Sequence, residues 1–394
     1  MEARTIVMRK ATGDLALIKK MNTAIVLDAI VKKAPLSRAN ISELTGLNKA
    51  TVSSLVQDLL DAHLVLEIGM GVSSGGRKPV MLIFNRAAGY AVGIDLGVNY
   101  IRGVLTDLEG GVIAEAEAVL QRHELELVLP ELYRLIAGLM AQASDSPYGI
   151  VGIGIGVPGL VDERGTILFA PNLKWEQVEL QRLVAARYEV PVFIDNEANA
   201  GAQGEQKYGA GRGIAHQIYV SVGIGIGTGI ILNKELYKGA HGFSGELGHL
   251  SIDLAGKPCR CGNLGCWELY ASEHALLELA SPLGYGSLRE LLAAADEGDL
   301  AAQELFRRIG SDLGVGLANI VNVFNPEVVI VGNRMSLAQR WIEDSVQETL
   351  SRRTLKQHRQ GLRLLFAELG EQSAVRGAAY YAIDQFFHRV KGGA

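Results

Sequence analysis

Three cysteines, Cys259, Cys261 and Cys266, fall within eight residues and are the only ones in the chain; His249 stands ten residues before the first. Thiolates and an imidazole are the donors that a borderline-soft, tetrahedral zinc ion prefers. The C-x-C-x4-C knuckle with its upstream histidine is therefore expected to form a closed structural Zn2+ site. Gly262 and Gly265 let the chain between the ligands turn tightly. Three ordinary buried cysteines are the plainer alternative. Their confinement to one short stretch argues against it, and a disulfide across C-x-C would close too tight a ring. Glu246 lies three residues before His249 and Glu268 two after Cys266. A metal there would fix a loop that aims polar groups into a cleft, with one His249 nitrogen on the ion and the other free to hydrogen-bond a ligand.

A second constellation suits nucleic acid. From Asn22 the apolar residues recur at helical spacing, with Ile25, Val26, Ala29 and Ile30 on one face, until Pro35. A short helix capped by Ser37 carries Ile41 and Leu44, and a turn at Gly46 follows. A third helix, capped by Asn48, turns Val52, Leu55, Val56, Leu59 and Leu60 inward. This is a helix-turn-helix pattern. Asn48, Lys49, Thr51, Ser53, Ser54 and Gln57 occupy the start and polar face of that helix, where short polar groups reach base edges or phosphates in a major groove. A bare three-helix packing unit is the alternative. Against it, residues 64–71 and 79–84 alternate like two strands around the tip VSSGGRK, a wing whose Arg77 and Lys78 suit the minor groove or phosphates.

The rest of the chain reads as α/β. Residues 90–117 read as three strands joined by turns, followed by an amphipathic helix over 125–143 and a strand from Ile150 that ends in the turn GVPG. Beyond it, Asn172 offers both a donor and an acceptor, suited to a sugar hydroxyl or equally to capping a turn. PVFIDNEANAGAQGE is a buried strand delivering Asn196 and Glu197 into a small-residue helix. SVGIGIGTG (221–229) is a glycine-rich turn, which tight β-turns use as readily as phosphate loops do. EVVIV ends a strand at Gly332, and residues 374–390 form a last helix expected to pack back on the first lobe.

Together, the cysteine stretch and the run IYVSVGIGIGTGIILNKELYKGAHGFSGELGH (218–249) resemble the signature of the ROK family of bacterial sugar-responsive repressors and sugar kinases, and the match extends from about Gly89 to the C-terminus. The resemblance implies an N-terminal winged helix-turn-helix (1–84) followed by a two-lobed, actin-like (ribonuclease H-like) sugar-binding domain (85–394). Lobe one would span about 88–200 with the helix 374–390, and lobe two about 201–373. It also implies a sugar site built from Asn172, Asn196, Glu197, Glu246, His249 and Glu268. In kinases of the family an Asp-x-Gly-Gly-Thr loop cups the nucleotide phosphates. Here Asp95 and Gly97 remain, but Val98 and Asn99 replace the second glycine and the hydroxyl. Glu197 stands where those kinases place an aspartate base, and its extra methylene moves the oxygen by about 1 Å. Ile224 and Asn333 replace a threonine and a glycine. These departures share one direction, toward loss of ATP chemistry, so the expected function is a catalytically idle sugar-responsive repressor. The wing SSGGRKPVMLIFN and the following AGYAVGIDLGVNYI are most similar to the family's xylose-responsive branch in Gram-positive bacteria, which implies D-xylose as effector. The alternatives are an ATP-dependent sugar kinase using Glu197 as base, or a regulator answering to glucose or N-acetylglucosamine.

Composition agrees with this division. The 394 residues carry a net charge of −5, yet residues 1–84 hold 11 Lys and Arg against 7 Asp and Glu, +4, leaving −9 for the remainder. A basic head on an acidic body points to operator DNA as partner of the head alone. Half-site readers are usually dimers, so a homodimer is expected. The N-terminal residues do not resemble a signal peptide and no apolar run reaches the ~18 residues of a membrane span; with reduced metal-binding thiols, a cytoplasmic location without a membrane partner is expected.

Overall fold

The computed structural model describes residues 15–70 and 78–391. The chain opens with α1 (Leu15–Lys33), β1 (Leu36–Ser37), α2 (Arg38–Thr45), α3 (Lys49–Asp61), β2 (Val65–Met70) and β3 (Val80–Phe84). The first helix starts seven residues before the sequence expectation, because six of residues 15–21, LALIKKM, all but Ile18, are good helix formers. Its inner face also differs: Val26, Leu27 and Ile30 are buried, whereas Ile25 is 45% exposed. Leu44, expected inside α2, is likewise exposed, and Ile41 alone anchors that helix. Ser37 and Asn40 form a reciprocal capping box, and Gly46, at φ +72°, ends α2 in the left-handed conformation. Strands β1, β3 and β2 pair in that order as an antiparallel wing.

Two five-stranded sheets follow. The first is built from β4 (Tyr90–Leu96), β5 (Tyr100–Asp107) and β6 (Val112–Val119), then α4 (Leu125–Met140), β7 (Ile150–Val157), the small strands β8 (Leu160–Val161), β9 (Ile167–Ala170) and β10 (Trp175–Val178), α5 (Leu180–Ala185) and β11 (Val192–Asn196). Its order is β11-β7-β4-β5-β6, while β8 to β10 form a separate three-stranded sheet. Helix α6 (Glu197–Tyr208) crosses to the second sheet. That sheet contains β12 (Gln217–Val222), β13 (Ile226–Leu232) and β14 (Glu235–Leu236); then come α7 (Glu268–Ala271), α8 (Glu273–Ala280), α9 (Leu288–Asp296), α10 (Leu300–Phe324), β15 (Val328–Gly332), α11 (Gln339–Arg353), α12 (Lys356–Arg359) and β16 (Arg363–Phe366), giving the order β14-β13-β12-β15-β16. Each lobe has its own core, one around Leu132, Ile136 and Ile155, the other around Trp267, Leu313 and Val331.

Helix α13 (Ser373–Val390) ties the molecule together. It returns to the first sheet, as the sequence suggests, and lies against α6 with almost no space between backbones. A Cβ at Gly154 of β7 would collide with the Ala378 carbonyl, and one at Gly204 of α6 with that of Ser373. Its second half does more than the sequence indicates. Ala382, Ile383 and Phe386 share one apolar cluster with Val26, Val52, Leu59 and Phe84 of the head, so a continuous core crosses the junction at residue 84. Phe387 packs on Phe84, Tyr148 donates to the Ala62 carbonyl at 2.8 Å, and Lys391 pairs with Asp28 at 2.6 Å. Among the described residues no helix is long and apolar enough to cross a membrane.

Candidate functional site

The cleft is built where the two sheets face one another. Parallel pairing of β11 with β7 brings Asn196 beside Val157, so both strands end at one edge. There Asn196 caps α6: its Oδ1 accepts from the amides of Ala198 and Asn199, and its Nδ2 donates to the Gly159 carbonyl at 3.0 Å. The Asn196 side chain is thus largely occupied in holding the loops. Gly159 lies against Phe169 and Ala170, the last residues of β9, and this contact carries the turn with Asn172 to the same edge. The Asn172 amide is half-buried and has no side-chain hydrogen bond among the described residues.

Glu197 begins α6, and its carboxyl group lies deep between the lobes. Burial, and then the charge of Asp95, push its pKa up to about 8, although a hydrogen bond from Ser221 opposes the shift. Ser221 Oγ lies 3.0 Å from Glu197 Oε2 and accepts in turn from Asn333 Nδ2 at 3.0 Å. Near pH 7 Glu197 is therefore mostly a neutral acid, able to donate as well as accept, and already holds the proton a catalytic base would have to take. Asp95 is also pushed up, to about 6, by burial; Tyr100 donates to its Oδ2 at 2.9 Å. The Tyr100 ring fills the space above Gly97, and Arg102 stacks 4.9 Å from its centroid. Side chains of this protein, Tyr100 from one lobe and Asn333 from the other, thus lie against one glycine of each loop, Gly97 and Gly223. Asn333 was recognisable in the sequence as a departure, whereas nothing in the sequence singles out Tyr100.

Across the cleft, the His249 ring links two groups. Its Nδ1 is 3.7 Å from Cys259 Sγ and 3.5 Å from Glu268 Oε1, and its Nε2 is 3.8 Å from Glu246 Oε2. The candidate ligand atoms of His249, Cys259, Cys261 and Cys266 all lie within 4.8 Å of one another. Cys261 and Cys266 sulfurs are 3.7 Å apart, the edge expected of a tetrahedron with metal–sulfur bonds of about 2.3 Å, so the residues fit a bound metal. Burial pushes the Cys259 thiol up to about 12, so a thiolate there needs a cation beside it. Gly265, at φ +67°, turns the knuckle where a Cβ would strike the Asp253 carbonyl, and the buried Trp267 pins it to α10 through a 3.1 Å hydrogen bond to Asp312 O.

The head presents a second face. Asn48 Oδ1 caps α3 by accepting from Thr51 N at 2.8 Å, Ser53 donates back to Lys49 O, and Gln57 donates to Asp61. Lys49 and Ser54 stand exposed on the same side, with Lys78 exposed two residues before β3; Arg77 lies outside the described residues. Thr51 is half-buried beside the cap.

This architecture has close parallels. A family model described as "ROK family" matches residues 91–385. The chain belongs to the ROK family. Among ROK relatives, the xylose repressor of Bacillus subtilis (strain 168) is 44% identical over 379 residues, covering 96% of this chain and 99% of its own. A solved ROK transcriptional regulator, described as a homologue of the E. coli MLC protein, matches 95% of this chain and 99% of its own with a TM-score of 0.80 at 29% identity. A ROK glucokinase from Streptomyces griseus, solved with glucose and AMPPNP, matches 75% of this chain and 100% of its own with a TM-score of 0.69 at 32% identity. The xylose repressor and the solved regulator match nearly the whole of this chain, head included, whereas the glucokinase matches 75% of it, and this chain is a repressor rather than an enzyme.

Proposed function

We propose that the protein is a cytoplasmic, homodimeric transcriptional repressor that binds operator DNA of a xylose utilisation operon and releases it when D-xylose enters the cleft. In this reading residues 1–84 are the DNA head. Asn48 sets the start of the recognition helix, Lys49, Thr51, Ser53, Ser54 and Gln57 contact DNA, and Arg77 and Lys78 reach from the wing. Residues 85–394 bind the sugar through Asn172, Asn196, Glu197, Glu246, His249 and Glu268. The observation that carries the reading is the chemistry of the cleft. Glu197, Glu246, His249 and Glu268 offer paired donors and acceptors for vicinal hydroxyls, while Tyr100 crowds Gly97 and Asn333 crowds Gly223 in the glycine loops that a nucleotide would need. The name of the B. subtilis relative supports xylose as the sugar.

His249, Cys259, Cys261 and Cys266 would hold zinc, which as a structural ion supplies four fixed bonds. The chain's part is to present Nδ1 of His249 to the ion and Nε2 to the cleft, with Glu268 alongside. Sugar release of DNA is then a matter of linkage. A sugar that prefers the released lobe arrangement by about 2.7 kcal/mol weakens DNA binding about 100-fold. The α13 rod, shared between the lobe interface and the head core, gives that preference a mechanical path.

Calorimetric titration with D-xylose, D-glucose and N-acetylglucosamine, beside a coupled ADP-release assay with MgATP, tests the assignment. Saturable binding of D-xylose with no ADP release above buffer is expected. Turnover of any sugar would establish the kinase reading instead.

A further inference from the structure

The loop that leads into Glu246 and His249 leaves β14 and crosses the mouth of the cleft. It is anchored to its own lobe by Tyr237 N donating to Ile230 O at 2.7 Å and closes on itself through Ser244 N donating to Lys238 O at 3.1 Å. It also touches the opposite lobe. Gly242 at its tip faces the Val161 carbonyl of β8, and Lys238 Nζ lies 2.6 Å from Oδ2 of Asp195 on β11, with 5.6 Å to the Tyr381 ring of α13. The second oxygen of Asp195 accepts from Asn196 N at 2.8 Å and from Asn199 Nδ2 at 3.1 Å. One carboxylate therefore fixes the first turn of the helix that starts at Glu197 and, through Lys238, the loop that carries the facing ligands. The pair is only partly open to water, 36% for the Lys238 side chain and 13% for that of Asp195, so solvent screens it incompletely.

We propose that Lys238 is a positioning residue for the sugar response. Its ion pair with Asp195 clasps the two lobes at the cleft mouth, holding Glu246 and His249 in register with Asn196 and Glu197. Without the clasp the sugar must order the loop as it binds, and its affinity falls. The inference rests on the sugar-binding reading above. It assigns no contact between Lys238 and the sugar.

Full-length protein carrying Lys238→Met or Lys238→Arg is titrated with D-xylose, glucose and N-acetylglucosamine, and hydrogen exchange is followed without sugar. Lys238→Met is expected to raise the dissociation constant of the sugar that wild type binds about tenfold. Lys238→Arg should stay within about twofold, because a cation of similar reach is restored. The wild-type constant should weaken with salt where the Met variant's does not. In sugar-free Lys238→Met, amides of residues 237–249 should exchange about tenfold faster, a readout that needs no ligand. Unchanged exchange, or unchanged sugar affinity in the Met variant, overturns the clasp. Wild type that binds none of the sugars removes the sugar-binding reading and the role for Lys238 in it, whereas faster loop exchange in that case would still establish the ion pair as the restraint on the loop.

Discussion

Replacing Cys261 with serine is expected to reduce bound zinc from one ion per chain to below about a tenth, and to raise the D-xylose concentration that half-releases operator DNA at least about tenfold. Cys261 is the exposed member of the ligand set, so the change opens no cavity. Its sulfur is 3.7 Å from that of Cys266, however, and a hydroxyl is a poor fourth donor for zinc. Structural zinc contributes about 10 kcal/mol or more to small metal-bound folds, so losing it releases whatever only the ion holds in place. Here that is the approach of His249 and Glu268 to the cleft, since Trp267 remains pinned to α10 by packing and by Asp312. Operator affinity without sugar should change by less than about threefold, because the head core shares no residue with the knuckle. Elemental analysis and DNA anisotropy on the same preparation read both effects. A normal sugar response in protein shown to lack metal would refute the structural role.

Glu197→Gln should stabilise the folded protein by an amount that grows with pH. The wild-type carboxyl titrates near 8 in the folded state because burial penalises its charge, against an ordinary value of 4.5. Below about pH 4.5 both states hold the proton and the residue makes no difference. Between there and about pH 8 the unfolded chain gives up the proton while the folded chain keeps it, so wild-type stability declines as pH rises through that window. Glutamine does not titrate, and its amide oxygen can still accept from Ser221. The variant's advantage should be near zero at pH 4.5 and on the order of 3 to 4 kcal/mol at pH 7 to 8. Asp95 titrates in both proteins and cancels from the difference to first order. Thermal unfolding across this range checks the slope, and a difference independent of pH would contradict the burial of a neutral acid.

The parts of this molecule that are local in sequence could be read from it. The cysteine knuckle gathers its thiols within eight residues, and the Ser37 and Asn48 caps act within three positions, so spacing alone was informative. The strand ending at Asn196 and the helix opening at Glu197 were legible for the same reason. On α1 the reading failed at Ile25 and Leu27, because apolar residues surround that helix and periodicity could not choose between neighbours. Contacts set by the folded backbone left no trace. Tyr100 over Gly97 looks like an ordinary strand residue, and Asn333 reaches Ser221 across 112 positions. Lys238 and Asp195 are two charges among many until the lobes meet. The fusion of α13 with the head core depends on Phe386 meeting Tyr148 and Phe387 meeting Phe84, side chains that any amphipathic helix would turn inward.

The most direct measurement of the central claim is fluorescence anisotropy of the full-length protein on DNA from its own upstream region and an adjacent sugar operon, at fixed salt, with and without D-xylose. Tight, specific binding that D-xylose weakens about 100-fold, and that glucose leaves unchanged, is the predicted result. Specific binding that no sugar alters, or no specific binding at all, would contradict it.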